Sequence, residues 1–248
     1  MSGGSIELAT SVLRRRFGLS ELRPVQGAVI ERLLSGAGSH AMVVLPTGSG
    51  KSLCYQLPAL GLQRRADDAG RAPGVALVFS PLIALMEDQV ASLKKRGVRA
   101  AYINSTLSKP QRQAMQAALT RGEYEIVYAT PERMTKPEFV EAMSLVPGGV
   151  TLLAVDEMHC VSKWGHDLRP AYRRIGEFTA KLKALSGAGF PVVALTATAT
   201  RAVREDVRAV LGLDEVEMPL FSTGVARPNL ELRAAELWTD EDKLTEIR

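Results

Sequence analysis

The 248-residue sequence predicts an α/β fold, a single domain with a mostly parallel β-sheet and helices on both of its faces. Strand-like apolar runs alternate with amphipathic, helix-like segments along almost the whole chain. This alternation is typical of strand–helix–strand units, which place successive strands parallel to one another. Polar residues of chemical interest directly follow two of the apolar runs. Open parallel sheets bind their ligands at the carboxyl ends of the strands, so we expect the functional site there.

The elements follow from the apolar pattern and from the residues that cap or stop helices. Strands are predicted at 41–46, 75–80, 98–103, 124–129, 150–156 and 191–197, with a last one near 229–235. Helices are predicted at 83–96, 109–121, 172–185 and 201–211. Ser108 is a suitable cap for the helix that Pro110 opens, and Gly97 and Gly122 are natural helix stops.

Two segments do not fit the alternation. Residues 63–74 are polar and contain glycine and proline, which predicts a surface loop. Residues 14–16 are three arginines, and we interpret them as the solvated face of an N-terminal helix, the other reading being a basic patch.

Composition bounds the class of protein. A hydrophobic fraction of 46% and a charged fraction of 23% are ordinary for a soluble globular domain, and no apolar stretch has the length of a membrane helix. We therefore expect no membrane partner. Cys54 and Cys160 are too few for a four-cysteine zinc site and are expected to be reduced thiols. The net charge of +4 is compatible with nucleic-acid binding and does not by itself demonstrate it.

The first candidate site is a glycine-rich turn after the first predicted strand. Its residues are Thr47, Gly48, Ser49, Gly50, Lys51 and Ser52. Glycines let the backbone curl so that successive N–H groups point inward, and the following helix adds its positive dipole end. The pattern predicts a phosphate-binding loop in which Lys51 contacts the β- and γ-phosphates and Ser52 ligates Mg²⁺. A plain glycine turn is the alternative.

The second candidate site is a pair of acids, Asp156 and Glu157, at the end of an apolar run that predicts a buried strand. Adjacent carboxylates in such a place are unfavourable unless a positive group binds there. We predict that Asp156 holds Mg²⁺ and that Glu157 orients and deprotonates the attacking water. Together with the phosphate loop, the pair predicts a nucleoside-triphosphate hydrolase, with Lys51, Asp156 and Glu157 as its catalytic residues.

Read in order, the motifs resemble superfamily-2 helicases, and specifically the RecQ family of DNA helicases. Residues 17–26 are similar to the family's adenine-recognition element. The resemblance implies that Gln26 pairs with the adenine edge and that Arg23 packs near the base. A glutamine amide suits this role because it donates and accepts at once. Leu19 stands where the family has an aromatic side chain.

Further motifs of the family follow along the chain. Residues 79–90 resemble its second motif, and residues 129–133 resemble a segment that family members place along the nucleic-acid strand. Residues 195–200 resemble the element that links hydrolysis to strand movement, which implies coupling roles for Thr196 and Thr198. A threonine-rich segment is also a good strand former, so these two residues have a purely structural alternative.

The stretch from 156 to 172 is the most family-specific, because it resembles the aromatic-rich loop with which RecQ helicases sense single-stranded DNA. The resemblance implies DNA contacts for Lys163, Trp164 and Arg169, and a bridging role for His159 between the two sites. An exposed tryptophan beside basic residues suits base stacking with phosphate contact. Leu168 stands where the family has a second aromatic residue.

The resemblance covers roughly residues 10–235 and implies a RecA-like fold, ATP and Mg²⁺ as cofactors, and ATP-dependent 3′-to-5′ DNA unwinding in repair and recombination. We expect residues 1–226 to be the first RecA-like motor domain and 227–248 to lead into a second one that the chain lacks. Expected partners are single-stranded and duplex DNA and that second domain. We further expect a monomer, cytoplasmic beside a bacterial nucleoid or nuclear in a eukaryote. An RNA helicase of the DEAD-box type and a non-catalytic nucleic-acid-binding fragment are the alternatives.

Overall fold

The computed structural model describes residues 3–164, 168–224, 236 and 238–246, and it confirms the predicted α/β architecture. Within those residues seven strands form one sheet: β1 (Ala41–Val44), β2 (Val75–Phe79), β3 (Ala100–Ile103), β4 (Ile126–Ala129), β5 (Val150–Val155), β6 (Val192–Thr196) and β7 (Leu220–Ser222). The strand order is β3-β4-β2-β5-β6-β1-β7, and every neighbouring pair is parallel. The first six strands confirm the predicted ones.

Nine α-helices lie in the same described ranges: α1 (Gly3–Val12), α2 (Pro24–Leu34), α3 (Leu53–Asp68), α4 (Ile83–Lys95), α5 (Lys109–Thr120), α6 (Pro137–Ser144), α7 (Ile175–Ser186), α8 (Arg201–Leu211) and α9 (Asp240–Glu246). Short 3₁₀ turns lie at Pro131–Thr135, Met158–Val161 and Pro170–Arg174, and one π-helical turn spans Leu13–Phe17. No helix among the described residues is both long and apolar enough to cross a membrane.

The core has two layers, one on each face of the sheet. Along β2, Leu77 and Phe79 pack into the layer formed with α5, α6, α7 and α8, while Ala76 and Val78 pack into the layer formed with α2, α3 and α4. All five residues of β2 are buried, as are all four of β1. Continuous apolar strands are therefore required here, because both faces of the sheet are covered.

Local sequence signals account for several helix ends. The Ser108 hydroxyl accepts from the Gln111 backbone N–H, and the Gln111 side-chain oxygen Oε1 accepts from the Ser108 N–H, which is the reciprocal cap that opens α5. Gly97 and Gly122 follow the ends of α4 and α5 with φ of 72° and 71°. The arginines at 14–16 are exposed, as expected of a solvated face.

Two predictions of secondary structure were wrong or incomplete. The predicted loop at 63–74 is helical up to Asp68, because the Gln63 amide donates to Asp67 at 3.0 Å and the Arg64 guanidinium pairs with Asp68 at 3.2 Å, both one turn apart. β7, only three residues long, was missed. The strand predicted near 229–235 lies outside the described residues.

Candidate nucleotide and nucleic-acid site

The phosphate loop has the predicted strand–turn–helix geometry. β1 ends at Val44, α3 begins at Leu53, and the turn lies between them. Gly48 and Gly50 both have φ of 79°, a left-handed conformation that only glycine adopts without strain. A Cβ atom on Gly50 would also lie 2.7 Å from the Gln26 amide nitrogen. Both glycines are thus required by the backbone of this turn.

Gln26 lies directly under the loop and is buried, with 4% of its surface exposed. Its Nε2 donates to the carbonyls of Ser49 at 3.1 Å and Gly50 at 3.2 Å, and its Oε1 accepts from the Arg23 N–H at 2.9 Å. Both amide hydrogens are therefore used by the phosphate loop itself. In this arrangement Gln26 fixes the loop to the start of α2, while the Arg23 side chain is exposed beside it.

Lys51 and Ser52 end the turn where α3 begins. The Lys51 ammonium donates to the carbonyl of Leu45 at 3.1 Å, so it lies across the turn that it follows. Both residues are partly exposed, as is Ser49, and Thr47 is exposed. A cation thus lies across a turn with two left-handed glycines at the N-terminus of a sixteen-residue helix. This combination favours the binding of an anion such as a phosphate.

The two acids lie at the same edge of the sheet, just after β5. Burial, followed by the charge of Glu157, raises the pKa of the Asp156 carboxyl to about 6, and Lys51 acts in the opposite direction. A hydrogen bond from His159 lowers the pKa of Glu157 and keeps it ionised. The two neighbours therefore have different environments, since burial is the largest influence on the pKa of Asp156 and the hydrogen bond from His159 is the largest on that of Glu157.

The side chains present fit a magnesium ion. Ser52 and Asp156 can supply oxygen ligands, and at the Asp156 carboxyl the effect of burial outweighs the nearby charges of Lys51 and His159. Among the described residues no cluster of three or more His, Cys, Asp or Glu side chains forms a metal cage. Mg²⁺ is ordinarily held by one or two protein oxygens together with substrate phosphates and water, so this sparse set of ligands is suitable.

His159 connects Glu157 to the end of β6. Its Nδ1 lies 3.2 Å from Glu157 Oε2 and 2.9 Å from the hydroxyl of Thr196. The Thr196 hydroxyl has one proton, which it donates to the carbonyl of Thr198 at 3.0 Å, so it accepts from His159. The Nδ1 atom therefore carries the hydrogen that both Glu157 and Thr196 share. The Cys160 Sγ atom lies 3.9 Å from the other ring nitrogen of His159, Nε2. Hydrogen bonds with the Cys160 thiol and with the Glu157 carboxylate both raise the pKa of His159.

A cavity of about 300 Å³ opens beside this bridge and brings together three predicted coupling residues, His159, Trp164 and Thr198. Trp164 is 76% exposed, so it is not a core residue. Arg204 of α8 also lines the cavity, and its Nε atom is buried without a hydrogen-bond partner. An aromatic face and a cation at one opening are suited to a base and a phosphate.

The basic residues of the predicted DNA loop point in different directions. Arg169 donates to the carbonyl of Pro81 at 3.3 Å, which ties it to the segment between β2 and α4. Lys163 is exposed and lines a second cavity on the α8 side. Residues 165–167 between them lie outside the described part of the chain. The structure thus brings Trp164 to His159, and Arg169 to a different motif.

Sequence reasoning missed several residues that hold this region in place. The Tyr172 hydroxyl donates to the Asp156 carbonyl at 2.8 Å, and the Ser162 hydroxyl donates to Asp206 of α8 at 2.5 Å. Arg204 was missed as well. Tyr172 lay inside a recognised motif, but nothing in its spacing indicated which backbone group it contacts. Asp206 and Arg204 belong to an amphipathic helix whose polar face gave no distinguishing signal.

Comparison with known proteins agrees with this geometry. The sequence profile of the family described as DEAD/DEAH box helicase matches residues 23–206, which includes the phosphate loop, the acids and the end of β6. The chain belongs to this helicase family.

Among curated proteins the chain is similar to RecQ-type DNA helicases. It is 40% identical over 229 residues to the ATP-dependent DNA helicase RecQ of Bacillus subtilis, an alignment covering 92% of this chain and 35% of that protein. The RecQ of Haemophilus influenzae is 38% identical, with coverage of 96% and 35%. Helicase Q5 of Mus musculus is 41% identical, with coverage of 89% and 21%. The chain thus spans about a third or less of the length of these relatives, and the predicted resemblance to RecQ helicases is confirmed.

Solved helicase structures share the fold. The Mycobacterium smegmatis helicase Lhr, solved with single-stranded DNA and AMP-PNP, superposes with a TM-score of 0.67 at 21% identity, covering 91% of this chain and 28% of that one. The DEAD-box helicase Mss116, solved with single-stranded RNA and UDP-BeF, gives a TM-score of 0.63 at 18% identity, covering 88% and 43%. At these identities the likeness establishes the RecA-like helicase fold and nothing finer.

Proposed function

We propose that this chain is the ATP-binding half of a RecQ-type DNA helicase that unwinds DNA in the 3′-to-5′ direction during repair and recombination. The observation that carries the proposal is the hydrogen-bonded bridge of Glu157, His159 and Thr196, with the exposed Trp164 on the same cavity. It joins the acids expected at a nucleotide site to the residues expected at a DNA site.

In this function the turn from Thr47 to Ser52 binds the phosphates, and Lys51 contacts them with its ammonium group. Ser52 and Asp156 would hold Mg²⁺, which neutralises phosphate charge when it is bound. Glu157 accepts the proton of the attacking water, and His159 keeps it ionised for that purpose. Gln26 can pair with the adenine edge only if its amide nitrogen gives up its bonds to the Ser49 and Gly50 carbonyls. If it keeps those bonds, its role is to support the loop.

In this proposal, residues 1–226 form the first motor domain, and residues 227–248 lead into a second. Helicases of this class hydrolyse ATP between two such domains, and an arginine supplied from across the site is worth about 10³–10⁵ in rate. The isolated chain is therefore expected to bind ATP–Mg²⁺ and to hydrolyse it very slowly.

A competition experiment tests the proposal. A fluorescent single-stranded DNA is bound to the chain in the presence of Mg²⁺ and a non-hydrolysable ATP analogue, and unlabelled DNA or RNA of the same sequence is added. The proposal predicts that DNA displaces the probe at lower concentration than RNA. Preferential displacement by RNA would instead favour the DEAD-box alternative. If the chain binds nucleic acid but no nucleotide, it is a non-catalytic binding fragment.

A further inference from the structure

A buried chain of hydrogen bonds runs from the phosphate-loop helix α3 to helix α4. The hydroxyls of Tyr55 and Tyr128 lie 3.1 Å apart. The Gln56 amide nitrogen donates to the Tyr128 hydroxyl at 3.2 Å and to the Gln89 side-chain oxygen at 2.8 Å. Tyr55, Tyr128 and Gln56 are each exposed by 4% or less. The three residues thus form a polar strip inside an otherwise apolar layer.

One end of this strip faces the nucleotide site. Tyr55 lies one helical turn after Ser52, and its backbone N–H donates to the Ser52 carbonyl at 3.3 Å. Burial raises the pKa of its phenol, and the charge of Asp156 acts in the same direction. Ser52 and Asp156 are the two residues that would hold Mg²⁺. Burial raises the pKa of Tyr128, and the charge of Asp156 acts in the same direction. A shift of the backbone at Ser52 therefore also moves Tyr55.

The other end lies on α4. Gln89 is half-buried in the middle of this helix, which begins just after Pro81 and the exposed Leu82. The Pro81 carbonyl accepts from Arg169 of the aromatic-rich segment. The start of α4 therefore belongs to the same surface as the proposed DNA contacts, and a shift of α4 changes that surface.

The strip is an unusual way to fill a core. Buried amides and hydroxyls are unfavourable unless all their hydrogens are paired, and apolar side chains would pack the same volume more simply. Here both hydrogens of the Gln56 amide nitrogen are paired. Burial raises the pKa of both phenols, Tyr128 to about 12, so each keeps its proton near neutral pH. The bond between two protonated phenols can run in either direction, which gives the strip two arrangements.

We propose that Tyr55, Tyr128, Gln56 and Gln89 form a relay that couples occupation of the phosphate loop to the position of α4, and thereby to affinity for single-stranded DNA. The relay rests on the function proposed above. When a bound nucleotide shifts the first turn of α3, Tyr55 moves with it, and its hydrogen bond to the Tyr128 hydroxyl changes. The Tyr128 hydroxyl accepts from the Gln56 amide nitrogen, and because the same nitrogen donates to Gln89, the change reaches α4.

A linkage experiment tests the relay. The Kd for a fluorescent single-stranded DNA is measured with and without Mg²⁺ and a non-hydrolysable ATP analogue, for wild type, Tyr128→Phe and Gln89→Met. Allosteric coupling in proteins commonly changes affinity 5–150-fold, and we expect at least about a fivefold ratio for wild type. Both variants should reduce that ratio below about twofold, and both should still bind each ligand alone. Tyr102→Phe is the matched control, because Tyr102 pairs with Tyr128 across β3 and β4 and lies outside the strip; it should retain the wild-type ratio.

Hydrogen exchange gives a readout that needs no DNA. Adding the nucleotide analogue should change the protection of the α4 amides in wild type and in Tyr102→Phe, and should leave α4 unchanged in the two relay variants. Gln89→Met alters a half-buried helix position, so it tests the relay even if Tyr128→Phe lowers the melting temperature. A wild type that binds both ligands without linkage, or relay variants that keep it, would overturn the relay alone. A wild type that binds neither ligand would overturn the proposed function as well.

Discussion

Glu157 is the residue at which the site is most constrained. Its φ of 49° and ψ of 42° place it in the left-handed region, and among the described residues it is the only non-glycine with positive φ. That conformation costs about 1–2 kcal/mol for an L-amino acid. Its N–H donates to Asp156 Oδ1 at 3.0 Å and its carboxylate accepts from His159, which hold it there. Strain of this kind is concentrated at functional positions, in agreement with a role for this carboxylate.

Replacing Glu157 by glutamine tests that role. The amide keeps the shape and loses the basicity, so we expect ATP turnover to fall by about 10²–10⁴, the usual contribution of a general base. The affinity for a non-hydrolysable ATP analogue should stay within about threefold of wild type. Turnover is measured with a second motor domain added, so that the starting rate is measurable. Glu138→Gln, at an exposed position on α6, is the control, and equal turnover in both variants would exclude Glu157 as the base.

His40 is expected to make stability pH-dependent. It is buried, its Nδ1 accepts from the Val192 N–H at 2.9 Å, and burial, aided by Lys183, lowers its pKa to about 4. The folded protein therefore favours neutral His40. The resulting stability is complete above pH 6.5, the usual histidine pKa, and is lost as the pH falls toward 4.

The test compares the unfolding free energy of wild type and His40→Gln between pH 7 and pH 4. Asp156, whose raised pKa acts in the opposite direction in this range, is present in both proteins and cancels in the difference. We expect the advantage of wild type to shrink by about 2–3 kcal/mol on acidification. A difference that does not vary with pH would contradict a neutral, buried His40.

Among the elements, the segment from Asp156 to Tyr172 carries the two acids, His159 and Trp164. It is fastened by backbone and hydroxyl bonds on both sides: Ser162 to α8, and Tyr172 to the Asp156 carbonyl. The Trp164 backbone N–H donates to the Ser162 hydroxyl at 3.1 Å, while the Trp164 side chain is exposed. A loop held rigidly at its base can present an aromatic side chain to a ligand without losing much freedom on binding.

We predict that Trp164→Ala weakens binding of single-stranded DNA by about 1–3 kcal/mol and leaves the melting temperature unchanged. The first effect follows from loss of base stacking, and the second from the exposure of the side chain. Binding should also weaken steeply as salt is added, since phosphate contacts contribute much of the affinity. Trp238→Ala is the matched control, because that tryptophan is 83% exposed outside the loop. If both variants bind DNA as wild type does, Trp164 is not a stacking platform.

The sequence was sufficient for the elements whose signals are local. Strands β1 to β6 read as apolar runs because both faces are buried, and the caps and stops of α4 and α5 are set by single residues. β7 could not be found in this way, since three residues after a proline become a strand only by pairing with β1. The end of α3 was missed because i,i+4 side-chain pairs overrode a polar, loop-like composition.

In the candidate site, too, local features were predictable from the sequence and tertiary contacts were not. The phosphate loop and the acids were predictable, because turn geometry and strand burial leave few alternatives for glycines and carboxylates in those places. The side-chain contacts of Gln26 were not, since its two bonds to the loop carbonyls depend on how α2 packs beneath the turn. Arg204 and Tyr172 likewise acquire their positions only through tertiary packing.

In the molecule as a whole, the carboxyl edge of the sheet brings the acids, Thr196 and the phosphate loop together. β5, β6 and β1 are adjacent, so the acids after β5, Thr196 at the end of β6 and the phosphate loop after β1 meet in that order. The topology places the His159 bridge in the middle, between the nucleotide side and the cavity with Trp164. Thr47 and Gly48 at this edge are exposed, and the proposed second motor domain would supply its arginines on this side.

A titration of a fluorescent ATP analogue with Mg²⁺ tests whether the turn after β1 binds the phosphates of ATP. Wild type is compared with Lys51→Ala and with Lys95→Ala, which removes an exposed lysine at the end of α4. Loss of a charged hydrogen-bonding partner is worth about 1.5–3 kcal/mol, so Lys51→Ala should bind about 10- to 100-fold more weakly than wild type, and Lys95→Ala should bind equally well. Equal affinity of wild type and Lys51→Ala would show that this turn does not bind the phosphates through Lys51.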